Sequence, residues 1–392
     1  MTTTSGGPDS PLTLAFLGDP NSIHTRRWIG HFAAQGHNVV MLVRDGLTVD
    51  PGLPAAISIE RYVPFNHRRF RPAGVLDARR SLHRVLERIR PDVLDAQYLT
   101  VNGWHAWMSG FHPYAVSVWG SDVFVTPRKS RLGAIYARFA LGSADLVMAG
   151  SETLTEAAIS LGARRDRAVT IGSGVDLSRF APGPEPAELR SRLGLDGRRV
   201  IFSPRAMTPL YRHGVVVEAL SLLPADVVAV MVRYLADPAE LAAVQHKADE
   251  LGVADRLVVV PSIDHSEIDD FYRLADVVVS VAASDSTAIT LYEALACGRP
   301  VVAADVPAVR ELIGRLDPAA LVPVDDPGRT AAAIARILDM SPSERAALGA
   351  EGRALAEESA DQKRNFARAE ALYRKLAAGP FATNVALTGP RT

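Results

Sequence analysis

The sequence predicts an α/β protein made of two doubly wound domains. Three observations lead there. Short, continuous apolar runs alternate with helical segments from Leu12 onward, the pattern of parallel strands covered on both faces. The alternation stops at a polar, proline-rich stretch, Asp176 to Pro186, and then restarts. A chain of 392 residues is too long for one ordinary core and suits two domains of about 150 to 200 residues each.

The elements follow in order. Leu12 to Leu17 reads as a buried strand, and a helix from Ile23 to Gln35 ends at Gly36, a residue that stops helices readily. Val39 to Val43 is the second strand. Further strands are expected at Val93 to Ala96, Ala115 to Val118, Leu146 to Ala149 and Ala168 to Ile171. In the second half they are expected at Val200 to Phe202, Val227 to Val232, Leu257 to Val260, Val277 to Val281, Val301 to Ala304 and Ala320 to Val322. A last long helix covers Gln362 to Ala377. The resulting division is a disordered N-terminus at 1–10, a first domain at 11–175, a second at 176–361, a closing helix at 362–378 and a disordered tail at 379–392.

Composition narrows the function. A hydrophobic content of 48% supports full cores, and a net charge of -1 gives no pull towards nucleic acid. The single cysteine, Cys297, excludes a disulfide framework and fits a reducing, cytoplasmic compartment. The first residues carry neither a basic segment nor a long apolar core, so no signal peptide is expected. High Ala, Arg and Val usage suits a GC-rich bacterial source. Asn66 to Arg90 holds eight arginines against Asp77 and Glu87. We read it as a solvated helix face, with peripheral membrane contact as the lesser alternative. Trp104 and Trp107 are read as core, with an aromatic wall for an acceptor as the alternative.

The most informative stretch is Asp285 to Ala303. A helix beginning near Thr287 would stop at Gly298, with Pro300 beyond it. The first-turn N–H groups of Ala288, Ile289 and Thr290 can receive a phosphate. Glu293, two turns along, can accept hydrogen bonds from the diol of a ribose. It stands on an otherwise apolar helix, where a carboxylate needs a partner.

This passage resembles the signature of the retaining family-four glycosyltransferases, the glycosyl transferases group 1, in which an acidic residue and a Glu eight positions on close a nucleotide-sugar pocket. Glu-Ala-Leu-Ala-Cys-Gly-Arg-Pro-Val-Val at 293–302 is similar to the family wording. So are Gly174-Val175-Asp176 and Tyr272-Arg273-Leu274-Ala275-Asp276-Val277. The resemblance implies the GT-B fold, with two Rossmann-like domains facing across a cleft and the closing helix returning to the first.

It also implies residue roles. Arg205 and Arg212 would neutralise the departing diphosphate, with Arg212 where the family has Lys. Asp285 would contact sugar hydroxyls, although Asp at that place could instead cap the helix. Backbone groups of Pro261 and Ser262 would read the base. Gly18, Ser22 and His24, in the loop after the first strand, would lie over the phosphates or the acceptor. Trp119 stands where many relatives have a His, which leaves Asp122 as the nearest titratable group for catalysis.

The implied activity is retaining, metal-independent transfer of a sugar from a nucleoside diphosphate sugar to a hydroxyl-bearing small molecule of the cell envelope or of secondary metabolism. No cofactor beyond the donor is needed, and a monomer or a homodimer would serve. Two other readings share the fold: a sugar-nucleotide 2-epimerase and a nucleotide-binding protein without turnover. A dinucleotide dehydrogenase is disfavoured, since no Gly-x-Gly-x-x-Gly follows either first strand.

Overall fold

The computed structural model describes residues 10–65, 72–127, 131–264 and 266–379. The expectations for residues 1–9 and 380–392, and for positions 66–71 of the arginine-rich stretch, lie outside the described residues.

The chain divides into two compact units, one ending at Ser173 and resuming at Arg364, the other running from Gly174 to Lys363. The first unit holds a seven-stranded sheet: β1 (Thr13–Leu17), β2 (Asn38–Arg44), β3 (Ile57–Tyr62), β4 (Val93–Gln97), β5 (Tyr114–Val118), β6 (Leu146–Ala149) and β7 (Ala168–Thr170). Its order is β3-β2-β1-β4-β5-β6-β7, and every pairing is parallel.

Successive residues of a strand point to opposite faces, and β1 shows the consequence. Ala15 and Leu17 join one buried cluster, and Leu14 and Phe16 join the other. The second cluster is completed by the closing helix, Gln362–Ala377, through Phe366, Ala369, Leu372, Tyr373 and Leu376. Those positions fall on one helical face. Trp104 and Trp107 pack at the margin of the first cluster.

Sequence reasoning missed β3. Its Ser58, Ile59, Glu60 and Arg61 carry no continuous apolar run, and only its two ends are buried. It lies at the sheet edge, where one partner strand is enough.

The second unit holds β8 (Arg199–Ser203), β9 (Val227–Val232), β10 (Leu257–Val260), β11 (Val277–Ser280), β12 (Val301–Ala304) and β13 (Leu321–Val322). The order is β10-β9-β8-β11-β12-β13, again all parallel. From β8 the chain winds one way to β9 and β10, and from β11 the other way. The switch point between β8 and β11 is where ligands bind in such sheets, outside the carboxyl ends of the strands. The first unit has its switch between β1 and β4. Among the described residues, no helix is long and apolar enough to cross a membrane.

Candidate functional site

In the second unit the loops after β8 and β11 meet at the switch point, joined by the Ala283 N–H donating to the Leu210 carbonyl at 2.9 Å. Arg205 projects from the first loop and is only 8% exposed. Its Nη2 lies 2.9 Å from Asp285 Oδ2, and its Nη1 donates to Thr290 Oγ1 at 2.6 Å. The guanidinium carbon sits 4.2 Å from the centre of the Tyr211 ring, a cation–π contact. Two residues read separately from the sequence, Arg205 and Asp285, are thus partners.

The helix of the second loop is Ile289–Ala296, two residues shorter at its start than expected. Ala288 is its N-cap, and no side chain caps it among the described residues. Asp285 is therefore not the cap; its Oδ1 accepts the Ser286 N–H at 2.8 Å. The three expected phosphate donors are not equivalent. The Ile289 N–H already donates to the Thr287 carbonyl at 2.7 Å, which leaves Ala288 and Thr290 as the candidates among the three.

Glu293 is 7% exposed and accepts the Tyr272 hydroxyl at Oε2 over 2.8 Å. Burial and the nearby Glu293 carboxylate hold the Tyr272 phenol well above its ordinary range, so it stays a donor. Sequence reasoning missed this partner and also Tyr211, Thr290 Oγ1 and His213. His213 is fully buried, and burial pulls its imidazole down to about 4, aided by the Arg205 charge. It is neutral at pH 7.

Arg212 is placed differently from Arg205. It precedes the helix His213–Ser221 as its N-cap, and its Nε pairs with Asp325 Oδ1 at 3.0 Å. Pro261 and Ser262 follow β10 in an exposed loop. That strand is the sheet edge, two places from β8, or about 10 Å at the usual spacing.

In the first unit, Gly18 closes β1 where a Cβ would lie 3.2 Å from Gln97 Cβ and 3.2 Å from the Met41 methyl; a side chain there would need its neighbours to shift. Ser22 is the N-cap of the helix Ile23–Ala34, without a side-chain capping bond. His24, on the first turn, stacks on Trp119 with ring centres 5.0 Å apart and planes at 29°. Burial lowers its imidazole below the usual value, with Arg27 adding to the effect.

Asp122 corrects an expectation. It is 0% exposed, and its carboxylate accepts the N–H groups of Leu99 at 2.8 Å, Gly120 at 2.7 Å and Trp119 at 3.1 Å. A carboxylate enclosed in this way fastens the loops after β4 and β5 to each other; it is not placed to take a substrate proton. A second buried acid was missed. Asp95, in β4, accepts from Ser117 Oγ, Gln97 Nε2 and Tyr373 Oη. Tyr373 in turn accepts from Trp28 Nε1 at 3.0 Å. Burial pushes Asp95 up to about 6 against the pull of these donors.

Comparison with known proteins agrees with this architecture. Residues 13–151 match the family described as Glycosyl transferase 4-like, and residues 187–355 match Glycosyl transferases group 1. The chain belongs to the GT-B glycosyltransferases.

Among curated relatives, the D-inositol 3-phosphate glycosyltransferase of Acidothermus cellulolyticus is 32% identical over 282 residues, 63% of this chain and 62% of that protein. The protein of the same name from Xylanimonas cellulosilytica is 34% identical over 183 residues, 44% and 43% of the two chains. The chain thus spans about half the length of the curated relatives it matches. Sucrose-phosphate synthase from Thermosynechococcus elongatus superposes with a TM-score of 0.77 at 20% identity, covering 93% of this chain and 99% of that one. Anabaena HepE, solved in complex with UDP, gives 0.76 at 18% identity, covering 92% and 99%. At these identities the likeness is one of fold.

Proposed function

We propose that this protein is a retaining, metal-independent glycosyltransferase that moves a sugar from a nucleoside diphosphate sugar to a hydroxyl-bearing small molecule. The observation that carries the proposal is the grouping at the β8–β11 switch point. Arg205 contacts both Asp285 and Thr290 there, and Thr290 stands one turn of helix before the buried carboxylate of Glu293.

Each group has a task in the proposed reaction. Glu293 takes the ribose diol, with Tyr272 holding the carboxylate in place. Arg205 and the N–H groups of Ala288 and Thr290 face the diphosphate, where negative charge grows as the sugar departs. Arg212 adds a second cation. Asp285 contacts sugar hydroxyls while its charge steadies Arg205. The bond from the anomeric carbon to phosphate oxygen breaks, the bond to the acceptor oxygen forms on the same face, and the acceptor proton passes to the leaving phosphate. No protein base is then required, consistent with Trp119 at the expected histidine position and with the enclosed Asp122.

UDP is the first nucleotide to try, because HepE was solved with it. Inositol phosphates are the first acceptors, given the names of the curated relatives. The test is nucleoside diphosphate release from a panel of sugar nucleotides, with and without acceptor, followed by the anomeric configuration of the product. Acceptor-dependent release with the configuration retained supports the proposal. Release of an epimerised sugar without acceptor would replace it with the epimerase reading.

A further inference from the structure

Arg212 and Asp325 stand in loops at the carboxyl ends of β8 and β13, and each has a left-handed backbone. Their φ values are +52° and +59°. Glycine takes this region freely, whereas other residues adopt it at a cost. Here both partners of one ion pair pay that cost: Arg212 Nε lies 3.0 Å from Asp325 Oδ1. Their side chains are 40% and 55% exposed, and exposed pairs add little to stability. Stability therefore does not account for two strained residues meeting side chain to side chain. Strain of this kind collects at functional segments.

Arg205 offers the contrast. Its guanidinium is buried, stacked on Tyr211 and tied to Asp285 and Thr290. One arginine of the site is buried and tied on several sides; the other is half-exposed and held by Asp325 and by an Nη1 bond of 3.3 Å to the Pro209 carbonyl.

We propose that Asp325 is a built-in competitor of the donor's diphosphate, holding the Arg212 guanidinium and giving it up to phosphate oxygens on binding. The proposal rests on the donor-site reading above. A carboxylate at this distance cancels much of the field that Arg212 presents and repels an arriving polyanion. Free nucleoside diphosphate carries more negative charge than the sugar diester from which it forms. Asp325 thus weakens the product more than the donor and speeds product release. It is a residue that tunes binding, not one that touches the reacting atoms.

The experiment is calorimetric titration of the wild type, Asp325→Asn, Asp325→Gly, Arg212→Ala and the Arg212→Ala/Asp325→Asn double variant. The ligands are UDP, GDP, dTDP and ADP, with UDP-glucose alongside UDP, at low and high salt. Asn tolerates a left-handed backbone and Gly relieves it, so the two Asp325 variants separate loss of charge from loss of strain.

Both variants are expected to bind the preferred diphosphate about 2- to 5-fold more tightly, the scale of an exposed ion pair. The gain should be smaller for the sugar nucleotide, fade at high salt and vanish in the Arg212→Ala background. Unchanged or weaker binding by Asp325→Asn, with Arg212→Ala impaired, overturns the proposal and leaves the donor site standing. Binding indifferent to Arg212→Ala also overturns it, and dependence on Glu293 then still supports the donor site. If the wild type binds none of the four diphosphates, the donor reading fails and takes this proposal with it.

Discussion

The Tyr272 hydroxyl donates a 2.8 Å hydrogen bond to Glu293 Oε2, and both residues are buried. The helix Ile289–Ala296 thus carries one carboxylate among apolar neighbours without leaving it unpaired. Tyr272→Phe removes that donor while keeping the ring. We expect a loss of about 1–3 kcal/mol, the cost of an undersatisfied buried charge. Urea unfolding of variant and wild type measures it. A change within experimental error would mean that the other contacts of Glu293 suffice.

Arg205 and Asp285 form a buried ion pair at 2.9 Å. Removing one partner of such a pair leaves an uncompensated charge and costs about 3–5 kcal/mol. Arg205→Ala should therefore destabilise the second unit by that order. Adding Asp285→Asn should recover a large part of the loss, because the stranded charge is gone. Strict additivity of the two substitutions in denaturation would contradict the pairing. Arg205→Lys keeps the charge but loses the planar fork. It should lower kcat by about 10-fold or more in a folded protein, judged against the 10²–10³ typical of losing a whole transition-state donor.

Asp122 accepts three backbone N–H groups while fully buried. Asp122→Asn should lower the melting temperature without removing an ionisation from the pH–rate profile. The folded fraction should retain its kcat/KM. A selective fall in kcat, with stability intact, would restore Asp122 as a catalytic group.

Asp95 couples the closing helix to the first sheet through Tyr373. Burial raises its folded-state value to about 6 from the ordinary 3.8. The folded chain therefore binds the proton more tightly than the unfolded chain. Its contribution is fully present below about pH 4 and is lost as the pH rises through about 6. A shift of this size corresponds to about 3 kcal/mol between those limits. Asp95→Asn should flatten the pH dependence of stability across that window, as read from urea midpoints between pH 4 and pH 7.5. Parallel curves for the two proteins would show that Asp95 does not titrate there.

The strands were legible wherever they are continuous apolar runs, as in Val227–Val232 (β9) and Val277–Ser280 (β11). It was illegible at β3, whose polar residues sit on an edge. The helix Ile289–Ala296 was legible because glycine and proline mark its end. Its start was misread, because Thr287 accepts the Ile289 N–H instead of opening the helix. The family resemblance located Arg205 and Asp285, and a lone carboxylate on an apolar helix located Glu293, but none of these signals gave their partners. Tyr272 and Thr290 reach Glu293 and Arg205 from separate elements, a meeting that no local spacing encodes, while Tyr211 folds back on Arg205 within one loop. Asp122 misled because a carboxylate beside a strand end reads alike whether it faces a ligand or its own backbone. Asp95 was hidden inside a strand, with all its donors distant in sequence except Gln97.

Equilibrium binding of UDP, GDP, dTDP and ADP to the wild type and to Glu293→Ala probes the donor pocket itself. One diphosphate is expected to bind, and the variant is expected to lose about 1.5–3 kcal/mol of its affinity, the scale of a hydrogen bond to a charged group. Binding of no diphosphate, or binding indifferent to Glu293, would contradict the donor-site reading.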